Sequence, residues 1–256
     1  MRIARHKDVL KKRVRRFFES PPYERRAVAQ VTRELGEVAE VYVFGGLLRD
    51  LALYGGANFS SDVDIVVVPH EGAAIEAIAK KFQFKKNKFG GYRLASSRWL
   101  FDVWEFDKTW AFVEDHVQPK SRRSLNETTF FNWDAVFYDL RSNQIVCAEH
   151  YFDQLANLSL DINLEHNPNT MGMFMRALRF IEQDHARTEP RLTKFIADVF
   201  DSEANSSILL YHAEHSKAAF LSAERLQGLR AKAQSWEGQT CYNWRKQTQL
   251  EMFAID

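Results

Sequence analysis

Two short apolar runs, each flanked by residues that a plain strand does not require, constrain this chain more than any other feature. Val41–Phe44 is β-branched and aromatic, and Gly45 and Gly46 follow it, so it predicts a buried strand that ends at a glycine turn. Ile65–Val68 predicts a second buried strand, and Leu47–Tyr54 between them predicts a short helix. This order of elements is typical of a mixed α/β domain.

Asp62 and Asp64 open the second strand. Because side chains on a strand alternate between its faces, both carboxylates project from the same face and can converge on shared cations. Two nearby buried anions repel each other unless a cation offsets them. Mg²⁺ takes hard oxygen ligands, and two such ions about 4 Å apart can stabilise the attacking and leaving oxygens of a phosphoryl displacement. The pair therefore predicts a catalytic site that binds two magnesium ions.

The glycine pair predicts a binding site for phosphate. With no Cβ at Gly45 or Gly46, a triphosphate can approach the backbone closely. The N–H groups at the start of the following helix favour negative charge there. Arg49, one turn into that helix, has two interpretations: it contacts phosphate, or it pairs with Asp50 or a catalytic aspartate and fixes the turn.

These residues resemble the head domain of the poly(A) polymerases and tRNA CCA-adding enzymes, within the polymerase-beta-like nucleotidyltransferase superfamily. The family pattern GGxxRD followed by DxD is matched by the glycine pair, Arg49, Asp50, Asp62 and Asp64. The resemblance covers residues 40–182 and is most specific in this first motif. It implies an α+β fold, in which a mixed-sheet nucleotidyltransferase head is flanked by helices and followed by a small α-helical region. It also implies an enzyme that transfers a nucleotide from an NTP, such as ATP, to a hydroxyl.

A third carboxylate on a neighbouring strand is also implied by the resemblance, as a general base on the attacking hydroxyl or as a further metal ligand. Trp99–Phe106 predicts such a strand, with Asp102 on one face and Glu105 on the other. Asp102 is the candidate and Glu105 the weaker choice. The alternative is that Asp102 is a surface acid at the edge of the strand.

Two arginines in the C-terminal half are candidates for nucleotide binding. Met175–Phe180 is similar to the family's helix with nucleotide-facing arginines, and Arg176 and Arg179 fall on one helical face there. Both can therefore reach one ligand. Arginines that only face solvent would show the same spacing.

The sequence departs from the family at the sugar-binding motif Arg-Arg-Asp-Phe-Thr. Thr128–Asn132 stands in the expected place, and Arg122 and Arg123 lie a few residues too early. Asp134–Leu140 is similar to the family's next strand. The acidic-acidic-x-x-Arg element by which CCA-adding enzymes read CTP and ATP is not evident, and the C-terminal body is short.

The acceptor is therefore open. The resemblance favours the 3′ end of a tRNA-like RNA. A small molecule, a protein hydroxyl or a second nucleotide, as in signalling, toxin or defence systems, is the first alternative. A catalytically silent module that binds RNA or a nucleotide is the second, although the intact Asp62 and Asp64 argue against it.

The chain divides by pattern into a basic helical N-terminus (1–36), a nucleotidyltransferase head (37–150) and a helical region (151–256). The formal net charge of +1 identifies no partner for the whole chain. Residues 1–26, however, contain ten basic and three acidic side chains. This basic segment is the candidate element for binding an RNA acceptor through its phosphates, and the alternative is a basic helix that packs on the head.

Cellular setting is predicted from the cysteines and from hydropathy. Cys147 and Cys241 are far apart and form no CxxC motif, which favours reduced thiols over a disulfide scaffold or a zinc site. No apolar run approaches the roughly 20 residues of a membrane span, and the N-terminus is too charged for a signal peptide. We expect a cytoplasmic protein with no membrane partner, and the sequence does not predict its oligomeric state.

Overall fold

The computed structural model of the chain describes residues 3–19, 26–55, 59, 62–87, 90–216, 219–238 and 240–245. The chain divides into two compact units, Met1–Ala156 and Asn157–Asp256. The regions predicted as a basic N-terminus and as a head both fall in the first unit.

The first unit is a mixture of helices and strands. Its helices are α1 (Lys7–Glu19), α2 (Arg26–Gly36), α3 (Gly46–Tyr54), α4 (Ile75–Ala79), α5 (Trp110–Val113) and α6 (Tyr151–Ala156). Its strands are β1 (Ala39–Phe44), β2 (Val63–Pro69), β3 (Gln83–Lys86), β4 (Tyr92–Ser96), β5 (Trp99–Glu105), β6 (Val136–Asp139) and β7 (Gln144–Cys147). Short 3-10 helices cover Phe106–Lys108, Arg122–Glu127 and Asn132–Asp134.

The strands of the first unit form one sheet, with the order β3-β4-β5-β2-β1-β6-β7 among the described residues. Strands β2 and β5 run parallel, whereas the remaining neighbours pair antiparallel. The sheet is therefore mixed, and the predicted α+β fold with flanking helices is confirmed. The first motif lies at the centre of this sheet, because β1 and β2 are adjacent antiparallel strands.

One face of the sheet is a continuous apolar surface. Val63, Ile65 and Val67 of β2 are fully buried on this face, as are Phe101 and Val103 of β5. Helices α2 and α3 contact β1, and α3 also contacts β2 and β6. This burial explains why the β-branched runs form strands: alternate side chains have an apolar core on which to pack.

The opposite face, which we term the carboxylate face, carries Phe44, Asp64, Val66, Asp102 and Trp104. Its apolar part packs in a cluster with residues from the short helices that follow β5 and precede β6. The two aspartates interrupt that apolar surface at the centre of the sheet. A strand that only formed core would not place acids there.

The second unit is mainly helical. It contains α7 (Thr170–Asp184), α8 (Pro190–Ser202), α9 (Asn205–His215) and α10 (Ala223–Gln234), with a short parallel pair formed by β8 (Ser159–Leu160) and β9 (Arg187–Thr188). Phe174 and Phe200 join α7 to α8 through an edge-to-face contact at 5.0 Å. Among the described residues of the chain, no helix is both long and apolar enough to span a membrane.

Candidate active site

A row of directly paired residues crosses the carboxylate face. Phe44 of β1 pairs with Asp64 of β2, Asp64 with Asp102 of β5, and Asp102 with Arg93 of β4. Paired residues project from the same face of a sheet, and neighbouring strands are about 4.8 Å apart. The side chains of Asp64 and Asp102 are therefore immediate neighbours, although they are far apart in sequence.

Asp62, immediately before β2, joins the same group through Arg93. The Arg93 guanidinium forms an ion pair with Asp62, and its Nη2 lies 3.3 Å from Oδ2 of Asp102. We term Asp62, Asp64 and Asp102 the aspartate group. Both Asp62 and Asp102 have side chains that are 29% exposed, and the Arg93 side chain is 46% exposed. The group is thus accessible from solvent, and Arg93 is a counter-ion of two of its members.

The position of Glu105 separates the two candidates for a third carboxylate. Glu105 pairs in register with Val67, on the face opposite the aspartate group. Its carboxylate accepts a hydrogen bond from Lys108 Nζ at 2.7 Å. The structure therefore places Asp102, and not Glu105, beside Asp64.

Burial raises the pKa of Asp102. The nearby Arg93 charge acts against this shift, and the Asp62 charge adds to it. A carboxyl in a partly desolvated site next to another anion holds a proton more tightly. Asp102 is therefore a stronger base than an ordinary surface aspartate.

The glycine turn lies against the aspartate group. Gly45 has φ of 64° and ψ of −119°, a conformation that a residue with a side chain rarely adopts. A Cβ placed at Gly45 would lie 3.9 Å from Oδ2 of Asp64. The Gly45 N–H donates to the carbonyl of Val136 at 3.0 Å, and the Gly45 carbonyl accepts from the N–H groups of Leu48 and Arg49. The start of α3 is thus fixed directly beside a carboxylate.

Arg49 is buried behind this turn. Its side chain is 4% exposed and forms ion pairs with Asp50, at 2.9 Å, and with Asp134. A Cβ at Gly46 would lie 3.6 Å from Arg49 Nη2. Of the two sequence interpretations of Arg49, its position favours the one in which the arginine fixes the turn.

Two residues of this site were not predicted from the sequence. They are Arg93, which forms ion pairs with Asp62 and Asp102, and Asp134, which forms an ion pair with Arg49. Arg93 lies in a short alternating segment, where an exposed arginine is ordinary, and only the strand register shows that it faces Asp102. Asp134 was assigned to a strand, but β6 begins at Val136 and Asp134 belongs to the 3-10 helix before it. The sequence feature that could have identified Asp134 is its charge within an otherwise apolar segment, which indicates a buried acid with a partner.

A cavity of about 490 Å³ opens beside the aspartate group. Asp64, Asp102 and Arg93 line one side, and Trp104 and Trp110 supply aromatic surface. The Trp104 indole donates to Thr109 Oγ1 at 3.1 Å, which fixes its orientation. The cavity therefore combines carboxylates, a cation and aromatic rings, a set of groups that suits a charged ligand with an aromatic part.

The donor set fits magnesium chemically, because the aspartate group offers hard carboxylate oxygens from two adjacent strands. In the part of the chain that the structure describes, no three His, Cys, Asp or Glu side chains are already arranged around a metal position. Within the aspartate group, Arg93 pairs with Asp62 and Asp102. A metal at this site would therefore have to share those oxygens with Arg93 or displace it.

Arg176 and Arg179 lie on α7 of the second unit. Both are half-buried, and both guanidinium groups lie over the ring of Phe180, at 6.0 and 5.4 Å from its centre. The shared helical face predicted from their spacing is thus present. Their binding to a nucleotide remains a prediction.

The fold is that of solved CCA-adding enzymes. A CCA-adding enzyme in complex with CTP superposes with a TM-score of 0.53 at 18% identity, over 88% of this chain and 60% of that one. A Thermotoga maritima CCA-adding enzyme complexed with tRNA superposes with a TM-score of 0.51 at 19% identity, over 89% of this chain and 60% of that one. No protein-family model and no curated protein sequence match the chain. The predicted resemblance is therefore confirmed for the fold, and the chain spans 60% of the length of these two enzymes.

Proposed function

We propose that this chain is a magnesium-dependent nucleotidyltransferase that transfers a nucleotide from an NTP to the 3′ hydroxyl of an RNA. One observation carries the proposal: Asp64 and Asp102 are paired in register at the centre of the sheet, and Asp64 lies against the Gly45 turn. Nucleotidyl transfer requires carboxylates and a turn that can bind phosphate, and the candidates for these two parts are adjacent here.

In the proposed reaction, the acceptor oxygen forms a bond to the α-phosphorus while the bond between that phosphorus and the bridging oxygen breaks, so that pyrophosphate leaves. Asp62 and Asp64 hold the metal ions, with Asp102 as base or further ligand. Bound magnesium supplies charge stabilisation for the attacking and leaving oxygens. As base, Asp102 accepts the proton of the acceptor hydroxyl on a carboxylate oxygen, and its raised pKa supports this role.

Nucleotide binding is assigned to the turn and the helix that follows it. Gly45 and Gly46 let the triphosphate approach the backbone, and the N-terminus of α3 favours its charge. Arg49 acts behind the turn through Asp50 and Asp134, which keep its guanidinium buried. In the second unit, Arg176 and Arg179 are proposed to contact the same nucleotide.

An RNA acceptor is supported by the basic face of α1. Lys12 and Arg16, both exposed, line a groove of about 420 Å³ together with Tyr54 at the end of α3. Arg13 forms the floor, because its Nη1 donates to the carbonyls of Leu51 and Ala52 at 2.8 Å. Two solvent-facing cations beside an exposed aromatic ring suit a single-stranded nucleic acid. The CCA-adding enzymes of similar fold were solved with CTP and with tRNA, which also supports an NTP and an RNA as substrates.

The reaction is tested by incubating the full chain with magnesium, each labelled NTP in turn and total cellular RNA. We expect label to enter RNA, and we expect Asp64→Asn or Asp62→Asn to lower the rate by about 10³-fold or more, because the metal ligands are lost. Asp153→Asn, an exposed aspartate on α6, is the matched control and should retain wild-type activity. Labelling that survives both substitutions contradicts the proposed mechanism.

A non-RNA acceptor is the second candidate, and the absence of the acidic-acidic-x-x-Arg element by which CCA-adding enzymes read CTP and ATP keeps it open. In the same assay, label in protein or in small products, with RNA unlabelled, would identify this alternative. The dependence on Asp62 and Asp64 would be unchanged, because the chemistry is the same.

The role of α1 has its own test. Lys12→Glu should weaken binding of a fluorescent single-stranded RNA several-fold and should lower the slope of log affinity against log salt by about 1, as the loss of one phosphate contact predicts. Lys120→Glu, also an exposed lysine, is the matched control. If the two substitutions weaken RNA binding equally, the effect is due to the net charge of the protein, and the groove is not part of the acceptor site.

A further inference from the structure

Arg93 forms ion pairs with two of the three members of the aspartate group. Strand register fixes this arrangement, because β4 places Arg93 opposite Asp102 on β5. The guanidinium then reaches across to Oδ2 of Asp62 as well as to Oδ2 of Asp102. Both pairs use carboxylate oxygens that the proposed function assigns to divalent cations.

Two lysines of the described residues near the group have different positions. Lys108, which also lines the cavity, donates to Glu105 on the opposite face of β5. Lys85 pairs in register with Arg93, one strand further from the aspartates, and is exposed at the edge of the sheet. Arg93 thus contacts the aspartate group directly, and Lys85 offers a charge of the same sign one strand away.

A guanidinium and a divalent cation cannot use the same carboxylate oxygens equally well. Metal binding in the absence of nucleotide must therefore weaken the Arg93 ion pairs and leave a displaced positive charge near the metal. A triphosphate changes that balance, since arginine binds phosphate oxygens with the same forked geometry that it uses for carboxylates. The side chain of Arg93 is 46% exposed, so movement from carboxylate to phosphate requires no unpacking of the core.

We propose that Arg93 couples metal binding to nucleotide binding: it is the counter-ion of Asp62 and Asp102 before substrate arrives and moves to the triphosphate when the divalent cation takes their oxygens. This inference rests on the proposed function. Arg93 is then a positioning residue that keeps metal affinity low until an NTP is present. Because binding coupling is reciprocal, it raises the affinity for nucleotide in the presence of metal by the same factor.

The test is calorimetric titration of the full chain with Mn²⁺ at pH 8, with and without a non-hydrolysable α,β-methylene analogue of ATP or CTP. Arg93→Gln should bind Mn²⁺ alone about tenfold more tightly, since a competing charge is removed at short range. In wild type the analogue should increase the affinity for Mn²⁺, and in Arg93→Gln the factor of this increase should be about tenfold smaller. Formation of the Mn²⁺–nucleotide complex in solution is the same for both proteins and cancels in the comparison.

Two further variants define the result. Lys85→Gln removes a charge from the same face of the sheet without touching the aspartates, and should change Mn²⁺ affinity by less than about twofold, as expected for a screened surface charge. Arg93→Lys keeps the charge but loses the forked geometry, so its coupling should fall between wild type and Arg93→Gln. If Arg93→Gln unfolds, Arg93→Lys carries the test alone.

Failure of this inference and failure of the proposed function give different results. Unchanged or weaker Mn²⁺ binding by Arg93→Gln, in a protein whose Mn²⁺ binding is lost in Asp64→Asn, overturns the role of Arg93 and leaves the metal site intact. Wild-type Mn²⁺ binding that persists in Asp64→Asn overturns the metal site itself, and the inference with it.

Discussion

Two arginines of the first unit each bind a pair of aspartates, and the comparison between them separates a fixed ion pair from an exchangeable one. Arg49 and Asp134 are 4% and 7% exposed. Arg93, in contrast, is nearly half exposed, and Asp62 and Asp102 retain partial access to solvent. The chemical groups are the same in both sites, but the Arg49–Asp134 pair is buried, whereas Arg93 and its partners are partly exposed.

Because they differ in burial, the two arginines have different roles. A buried ion pair is costly to break, because the partner that remains is a charge without compensation. An exposed pair is weak, since water and salt compete for both partners. Arg49 therefore maintains the geometry of the glycine turn, whereas Arg93 can exchange its carboxylates for another anion. The same site thus contains a buried, rigid ion pair behind the glycine turn, where we propose that the triphosphate binds, and an exposed, exchangeable one at the proposed metal site.

The largest expected effect is on stability. Arg49→Met should lower the free energy of unfolding by about 3–5 kcal/mol, because it removes the arginine charge that offsets the buried carboxylate of Asp134. Arg93→Gln should lower it by about 1 kcal/mol or less, as an exposed pair does. Urea unfolding of the full chain, followed by circular dichroism, measures both.

The two substitutions are controls for each other, since each removes one arginine that binds two aspartates. If Arg49→Met and Arg93→Gln lower the free energy of unfolding equally, burial does not distinguish the two ion-pair sites. An Arg49→Met protein as stable as wild type would remove Arg49 from its role behind the turn.

The sequence predicted the parts of this site that depend on local periodicity. Asp62 and Asp64 were assigned to one face by counting along a single strand, and Asp102 was separated from Glu105 in the same way. The structure supports the second assignment of position, because Asp64 and Asp102 are paired in register while Glu105 pairs with Val67. Asp62 lies just before β2 and joins the group through its ion pair with Arg93. The glycine turn was equally readable, since a strand that ends at Gly45 needs the positive φ that this residue adopts.

Sequence patterns could not predict the parts that depend on which strands are neighbours. Arg93 meets Asp102 only because β4 pairs with β5, and it reaches Asp62 only because β5 pairs with β2. Asp134 meets Arg49 across 85 residues of chain. Such contacts follow from long-range register, which one strand's alternation does not specify. The positions of ion-pair partners were therefore the least predictable feature of the site.

The smallest expected effect concerns Asp102 and its dependence on pH. Because burial raises the pKa of Asp102, the folded state disfavours the charged carboxylate, and stability is lost as pH rises through that raised pKa. Asp102→Asn, which is neutral at every pH, should be more stable than wild type at pH 8, by less than about 1 kcal/mol. That advantage should shrink as pH falls toward 4, because wild-type Asp102 takes up a proton as pH falls through its raised pKa.

Thermal unfolding at both pH values measures this difference, with Asp153→Asn as the exposed control that should show no such trend. Activity should change in the opposite direction, because loss of a general base costs about 10²-fold or more. If Asp102→Asn is more stable but less active than wild type, the Asp102 carboxylate serves catalysis at a cost in stability. An Asp102→Asn variant that is less stable at pH 8, with full activity, would instead make Asp102 a structural partner of Arg93.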